Sequence, residues 1–439
     1  MFSITFRASE NVNRKHFDWC IEQLDIFSEG NPLPDNQYMA WLFTKGNRLF
    51  LSSPPQQLEM LVELTDLMKQ QVPVVFHSLF HDAFYFWKTV KKSGTIKKVS
   101  LLFKSSAINQ LTSFISKNKR VEVNRDALSE KLEELGLLDF YLINGELNYS
   151  LLRKHFVADG PAAHRANPRM ELDLACIGID IEFKTFLYFC MDKFKYDKLI
   201  GSFDGWGAYE ITKSTENTLC PYCNRNYTHT VFEGNEFKGR PELDHFLPKS
   251  IFPFFAVSLF NLIPVCHSCN HSKSDESVLD WEQGILDFSL LHPHIPEDNV
   301  EHITIFESVQ PGDLTAYFMS NDSTMYQKIK LTDSALQNKK IKNSLALYKL
   351  ARFQHPSPHM QGYYAKHSRD IERTLDLVKY YPQSAIESIA SLIEDDTEQL
   401  QKELIKAIVS NYPEHHALGK LKQDLLTDII DSWIIEDQI

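Results

Sequence analysis

No stretch of the chain approaches 18 uninterrupted apolar residues, so none of it reads as a membrane span and no membrane partner is expected. The opening, MFSITFRASENVNRK, has no apolar core of the kind a secretory leader carries, and a cytoplasmic protein with reduced thiols is the expectation. Cysteine is scarce, seven in 439 residues, and the odd number argues against a disulfide framework. Internal repeats and low-complexity tracts are missing, and so is a nucleotide-binding fingerprint. Gly234-Asn-Glu-Phe-Lys-Gly239 only echoes a phosphate loop, because Arg240-Pro241 follows where Lys-Ser/Thr is needed, so any ATPase would be a partner. Positive charge is also short, with 46 Lys and Arg against 58 Asp and Glu, a net charge of −12.

Apolar and charged fractions of 43% and 24% are ordinary for a globular protein, and 30 Phe and 17 Tyr can pack substantial cores. Four of the seven cysteines form two Cys-x-x-Cys pairs, Cys220/Cys223 and Cys266/Cys269. Two such pairs are the usual ligand set of a closed tetrahedral zinc site, whereas a redox dithiol needs a βαβ context beside one pair, which is absent. The gap of 42 residues between Cys223 and Cys266 must itself fold. Within it, Pro241-Glu-Leu-Asp-His reads as a short strand ending in Asp244 and His245. Pro248 and Pro253 break the chain, Asn261 to Cys266 reads as a second strand, and Asn270 onward as a helix start. Cys20, Cys176 and Cys190 have no partner spacing and read as buried. His267, between two zinc ligands, reads as a knuckle residue, and His229 as a strand residue with no assigned role.

With Asp244-His245 closing one strand, Asn261-Leu262 opening the next, and Cys266, Cys269, Asn270 and Lys273 following, the stretch from Cys220 to Asp275 resembles HNH endonucleases that carry a four-cysteine zinc site. The resemblance implies an α+β fold with a central ββα-metal module and phosphodiester hydrolysis, with DNA as the expected substrate and RNA the alternative. It implies structural zinc on the four cysteines and Mg or Mn held by Asp244 and Asn270, an oxygen donor pair suited to a hard ion. It implies His245 as general base, an imidazole with an ordinary pKa of about 6.5, and Asn261 as the residue holding the loop that aims it. Many relatives have His directly after the last cysteine, so His271 stays open as the ligand in place of Asn270. Arg225 and Lys273 are candidate nucleic-acid contacts, Lys273 equally a helix cap. Such modules with long unassigned flanks resemble effectors of bacterial anti-phage systems, which implies an ATPase or another defence subunit as partner. A non-catalytic zinc adaptor remains the rival reading.

The charge is uneven. From Phe86 to Arg125 ten basic residues face only Glu122, a local charge of +9, which is either a DNA-binding face or solvated surface paired with the chain's own acids. The expected organisation is an N-terminal α/β or α+β region over 1–160, a connecting helical segment over 161–205, the zinc-bound module over 206–285, and a mainly helical region over 286–439. Phe2 to Phe6 suggests an edge strand, Arg14 to Phe27 a helix, and Ala40 to Leu51 a hairpin turning at Gly46-Asn47. Gln57 to Gln70 reads as a helix, Val72 to Phe76 and Lys98 to Phe103 as strands. His77 and His81, four apart, read as core or surface histidines. Ser334 to Phe353 reads as a helix with a basic face, and Leu421 to Ile435 as a helix whose apolar stripe is either core or a docking face.

Overall fold

The computed structural model describes residues 9–27, 36–71, 84–92, 95–103, 125–135, 137–155, 169–173, 181–202, 205–216, 218–233, 236–276, 278–282, 285–299, 303–308, 329–348, 383–393 and 417–436. To these it adds a few single positions such as Phe6, Leu111 and Ile115. The expected strand over 72–76, all but Phe6 of the one over 2–6, the His77/His81 pair and Cys176 lie outside the described residues.

Helix α1 (Ser9–Leu24) buries Val12, His16, Trp19, Cys20 and Leu24, a stripe at helical spacing. Helix α2 (Gln37–Lys45) is capped by Asn36, whose Oδ1 accepts from the Tyr38 and Met39 amides at 3.0 and 3.1 Å. It corrects the expected hairpin over 40–51. Gly46, at φ 52°, ends a helix here rather than turning two strands, and a 3-10 turn over Gly46–Leu51 follows. The Gly-Asn signal is shared by hairpin turns and helix C-caps, and Tyr38, Trp41 and Leu42 supply the three- and four-residue spacing that decides between them. Helix α3 (Pro54–Gln71) opens on Pro54-Pro55, where an amide proton is not needed, with Gln56 Oε1 accepting the Ser53 amide at 2.9 Å.

Strands β1 (Phe84–Lys92) and β2 (Thr95–Phe103) pair antiparallel, and β3 (Arg169–Asp173) adds to β2, also antiparallel. The N-terminal sheet therefore belongs to an α+β arrangement of helices and small antiparallel sheets, not to a parallel α/β one. A connection of only two residues between β1 and β2 permits no crossover. Helix α4 (Ile181–Lys193) lays Phe183 and Phe186 against α2, with ring centroids 5.2 Å apart for Tyr38–Phe183 and 6.2 Å for Trp41–Phe186. A short helix, α5 (Tyr196–Ile200), follows.

The segment between the cysteine pairs forms hairpin β4–β5 (Val231–Glu233, Glu236–Gly239) and then the pair β6 (Glu242–His245) and β7 (Leu262–Val265), in register Glu242–Val265 to His245–Leu262. Helix α6 (His267–Lys273) starts directly after β7, three residues earlier than the sequence suggested, with Cys266 as its N-cap residue. The loop joining β6 to β7 is almost wholly buried, because the N-terminal helices cover it. Trp41 and Phe186 pack on Phe254 with centroids 5.6 and 5.7 Å apart, His16 Nε2 donates to the Val257 carbonyl at 2.7 Å, and Ser258 Oγ donates to the Leu49 carbonyl.

Beyond the module, β8 (Leu279–Glu282) and β9 (Ile285–Phe288) form a hairpin, and β10 (Phe306–Ser308) pairs with β11 (Ile329–Leu331). The basic segment splits at Asn338, which caps α8 (Lys339–Leu347) after the short α7 (Asp333–Gln337). Its Lys339 pairs with Asp280 and its Lys340 with Asp287 and Asp298, so these two cations neutralise the chain's own acids. Helices α9 (Gln383–Ile393) and α10 (Gly419–Glu436) complete the described chain, and Leu421, Leu425 and Leu426 of α10 are core. No described helix is long and apolar enough to cross a membrane.

Candidate functional site

The four cysteines come together from two tight turns. After Cys220, Asn224 at φ 47° turns the chain back so that its amide bonds the Cys220 carbonyl at 2.8 Å. After Cys266, the first turn of α6 brings Cys269 round. All four side chains are buried and their sulfurs lie within 4.8 Å of one another, with Cys223 and Cys266 at 3.9 Å. Tetrahedral zinc with bonds of ~2.3 Å needs sulfurs ~3.8 Å apart, and a disulfide needs ~2.05 Å. The group can therefore hold a zinc ion. Without a metal the crowded thiols compete for protons: hydrogen bonds with Cys220, Cys223 and Cys269 push Cys266 down, while those with Cys220, Cys223 and Cys266 push Cys269 up. The C-terminal helix closes over this knuckle, with the Leu418 and Lys420 amides bonding Asn224 O and Oδ1 at 2.6 and 3.2 Å.

Beside the cluster, Asp244, His245 and Asn270 line a single cavity of about 480 Å³ together with Glu242, Arg240, Lys249 and Tyr196. Strand alternation puts Glu242 and Asp244 on one face of β6. Asp244 is buried. Tyr222, between the first two cysteines, donates to its Oδ2 at 2.7 Å, and Lys273 reaches Oδ1 at 3.1 Å and Oδ2 at 3.0 Å. Tyr222 in turn stacks on Tyr348 at the end of α8, centroids 4.5 Å apart. Lys273, a candidate nucleic-acid contact or helix cap, has no exposed surface, and its ammonium also donates to the His245 carbonyl at 2.6 Å. It is a strut beneath the site. Arg225 bonds Asn226 on the first knuckle at 3.2 Å and does not line the cavity.

His245 is buried against Tyr196, ring centroids 4.4 Å apart, and its Nε2–H donates to the Ala256 carbonyl at 2.9 Å, which leaves Nδ1 as the lone-pair atom. Burial, with lesser help from Lys249 and Lys273, pulls its pKa down to about 3, well below the ordinary value assumed from sequence, so the ring is neutral at physiological pH. Asn261, fully buried, clamps the intervening loop. Its Oδ1 accepts the Leu247 amide at 2.7 Å and its Nδ2 donates to the Leu247 and Phe255 carbonyls at 3.1 and 3.0 Å, next to the carbonyl that holds His245. Asn270 donates Nδ2 to Glu242 Oε2 at 2.6 Å, leaving its Oδ1 as an acceptor on the cavity. His271 is exposed and stacks on His267, so of the two alternatives the cavity contains Asn270.

Glu242, Tyr222, Tyr196, Arg240 and Lys249 were not singled out in the sequence. Only Glu242 left a usable signal, since strand alternation from Asp244 puts it on the same face. The cavity's oxygen donors, Glu242, Asp244 and Asn270, are of the kind a hard divalent cation takes, and Asp244 keeps a lone pair beyond the three bonds it accepts. No family model matches the chain, and no curated protein and no solved structure is similar to it.

Proposed function

We propose that the chain is a metal-dependent endonuclease of the HNH type that hydrolyses phosphodiester bonds, with DNA as substrate. One observation carries the reading. His245, held with Nδ1 as its lone-pair atom, shares a cavity with Asp244 and Asn270 at the junction of a strand pair and a helix that carries one cysteine of the metal-binding group and is capped by another. A purely structural zinc ribbon needs none of these three side chains at a common cavity.

In this reading Nδ1 of His245 takes the proton of the attacking water, and the Ala256 carbonyl stabilises the imidazolium through Nε2–H. Asn261 keeps that carbonyl in place through the clamped loop. Lys273 fixes the two reacting elements relative to one another, one ammonium bridging the Asp244 carboxylate and the His245 carbonyl. Asp244 and Asn270, with Glu242 beside them, would hold the divalent ion, which when bound stabilises charge on the phosphoryl and leaving oxygens.

The test is plasmid cleavage by purified wild type and His245→Ala with Mg²⁺ or Mn²⁺ and with EDTA. Metal-dependent nicking lost in the variant is expected. Zinc-loaded wild type that cuts neither DNA nor RNA, alone or with the proteins that co-purify with it, would leave a zinc adaptor instead. The same resemblance points to an ATPase or another anti-phage subunit as partner, and cleavage that rises when co-purifying proteins are restored would support that arrangement.

A further inference from the structure

The two residues first considered for nucleic-acid contact do not meet the cavity's solvent, but two other cations do. Arg240 and Lys249 line the cavity from opposite ends of β6, two residues before Glu242 and four after His245. The Arg240 guanidinium lies over the Tyr209 ring at 5.5 Å, with Nη1 donating to the Pro241 carbonyl at 2.9 Å, and the Lys249 ammonium lies over the Tyr196 ring at 4.6 Å. Neither makes an ion pair with a carboxylate among the described residues, although Lys273, Lys339 and Lys340 all do. An aromatic face orients a cation without cancelling its charge, so both are pre-positioned and electrostatically unsatisfied. In a chain of net charge −12 this matters. Screening over ~8 Å at physiological salt makes the groups beside the site, Arg240 and Lys249 together with the cavity's own carboxylates, and not the remote acids, decide what an approaching anion meets.

We propose that Arg240 and Lys249 are the phosphate-binding flanks of the cavity, each holding a non-scissile phosphate of a polynucleotide, one on either side of the bond to be cut. The proposal rests on reading the cavity as a nuclease site. Arg240 and Lys249 reach the cavity from the two ends of the strand that carries Glu242, Asp244 and His245. Two separately held cations suit a ligand that offers more than one phosphate, as a polymer does.

The experiment measures duplex binding by full-length, zinc-loaded protein carrying His245→Ala, so that the DNA survives. Affinity for two unrelated sequences is followed against KCl concentration for that parent and for added Arg240→Met, Lys249→Met, both together, and Lys131→Met on the helix Arg125–Glu134, whose ammonium pairs with Glu134 and does not line the cavity. Each cavity substitution should weaken binding equally for both sequences and reduce the slope of log K against log[salt] by ~0.9, the pair by ~1.8, with no change for Lys131→Met. Arg240→Lys and Lys249→Arg should keep the parental slope, which separates lost charge from lost folding, and thermal melting checks the latter. Slopes unchanged in both Met variants, or lost equally in the charge-conserving ones, overturn the proposal while the plasmid assay leaves the nuclease reading standing. Failure of the wild type to cut and of the parent to bind any nucleic acid defeats that reading, and this proposal with it.

Discussion

Replacing Lys273 by Met removes a buried cation and nothing that touches solvent. Its ammonium lies 3.1 and 3.0 Å from the two oxygens of Asp244, which is 3% exposed, and 2.6 Å from the His245 carbonyl. Met nearly fills the volume, so cavity formation is a minor effect and the charge dominates. Breaking a buried ion pair from one side leaves the other charge without compensation and costs ~3–5 kcal/mol, even where the intact pair adds little net stability. Tyr222 still donates to Asp244 and softens the loss toward the lower figure. Urea unfolding of zinc-loaded protein, followed by fluorescence and circular dichroism with coincident transitions, reads the difference. Asp244→Asn in the same background closes a double-mutant cycle, and a coupling of about 2–3 kcal/mol is expected because the double variant buries neither charge. The competing picture, Lys273 as a surface phosphate ligand, predicts a change below ~0.5 kcal/mol and a loss of salt-dependent DNA binding instead. A cost below ~1 kcal/mol with additivity inside ~0.5 kcal/mol would refute the buried strut.

Tyr222→Phe deletes a 2.7 Å hydrogen bond to a buried carboxylate and should cost ~1.5–3 kcal/mol by the same urea assay. Cys269→Ala should abolish the binding of one zinc per chain, read by metal analysis and a chromogenic chelator, and should lower the melting temperature because the metal stabilises only the folded ligand set. Asn261→Ala removes three hydrogen bonds from the loop that carries the Ala256 carbonyl, so plasmid cleavage should fall by an order of magnitude or more while zinc content is kept. Acid should destabilise the fold through His16, whose pKa burial lowers to about 4: its Nε2–H donates to Val257 and its Nδ1 accepts from Trp206, so the fold holds it neutral. The unfolded chain binds that proton below pH ~6.5, so stability is full above this value and falls by ~1.4 kcal/mol per pH unit down to about pH 4. With zinc in excess, urea midpoints across this range should fall less steeply in His16→Gln than in wild type.

What could be read in advance was whatever is written in local spacing. The cysteine pairs, the two strands around Asp244-His245 and Asn261, and the burial stripes of α1 and α10 all follow from periodicity or from turn residues a few positions apart. What could not be read depends on which distant segment arrives. Lysine is by default a surface residue, and the sequence gives no sign that Lys273 enters a socket made by a carboxylate on β6, a carbonyl at its end and the Phe246 ring. Asn261 could be expected to hold the loop, yet the N-terminal helices that seal the same loop, through Trp41, His16 and Leu49, are more than 200 residues away in the chain. The Gly46-Asn47 signal misled for the converse reason: a left-handed glycine ends a helix as readily as it turns a hairpin, and the aromatic core offered by Phe183 and Phe186 favours the helix. The same logic moves the candidate phosphate contacts. Cations are common in the motif stretch, but only packing separates Lys273, neutralised from below, from Arg240 and Lys249, which aromatic rings hold at the cavity with their charge intact. A basic residue in such a motif therefore carries a substrate role only after its carboxylate partners have been accounted for.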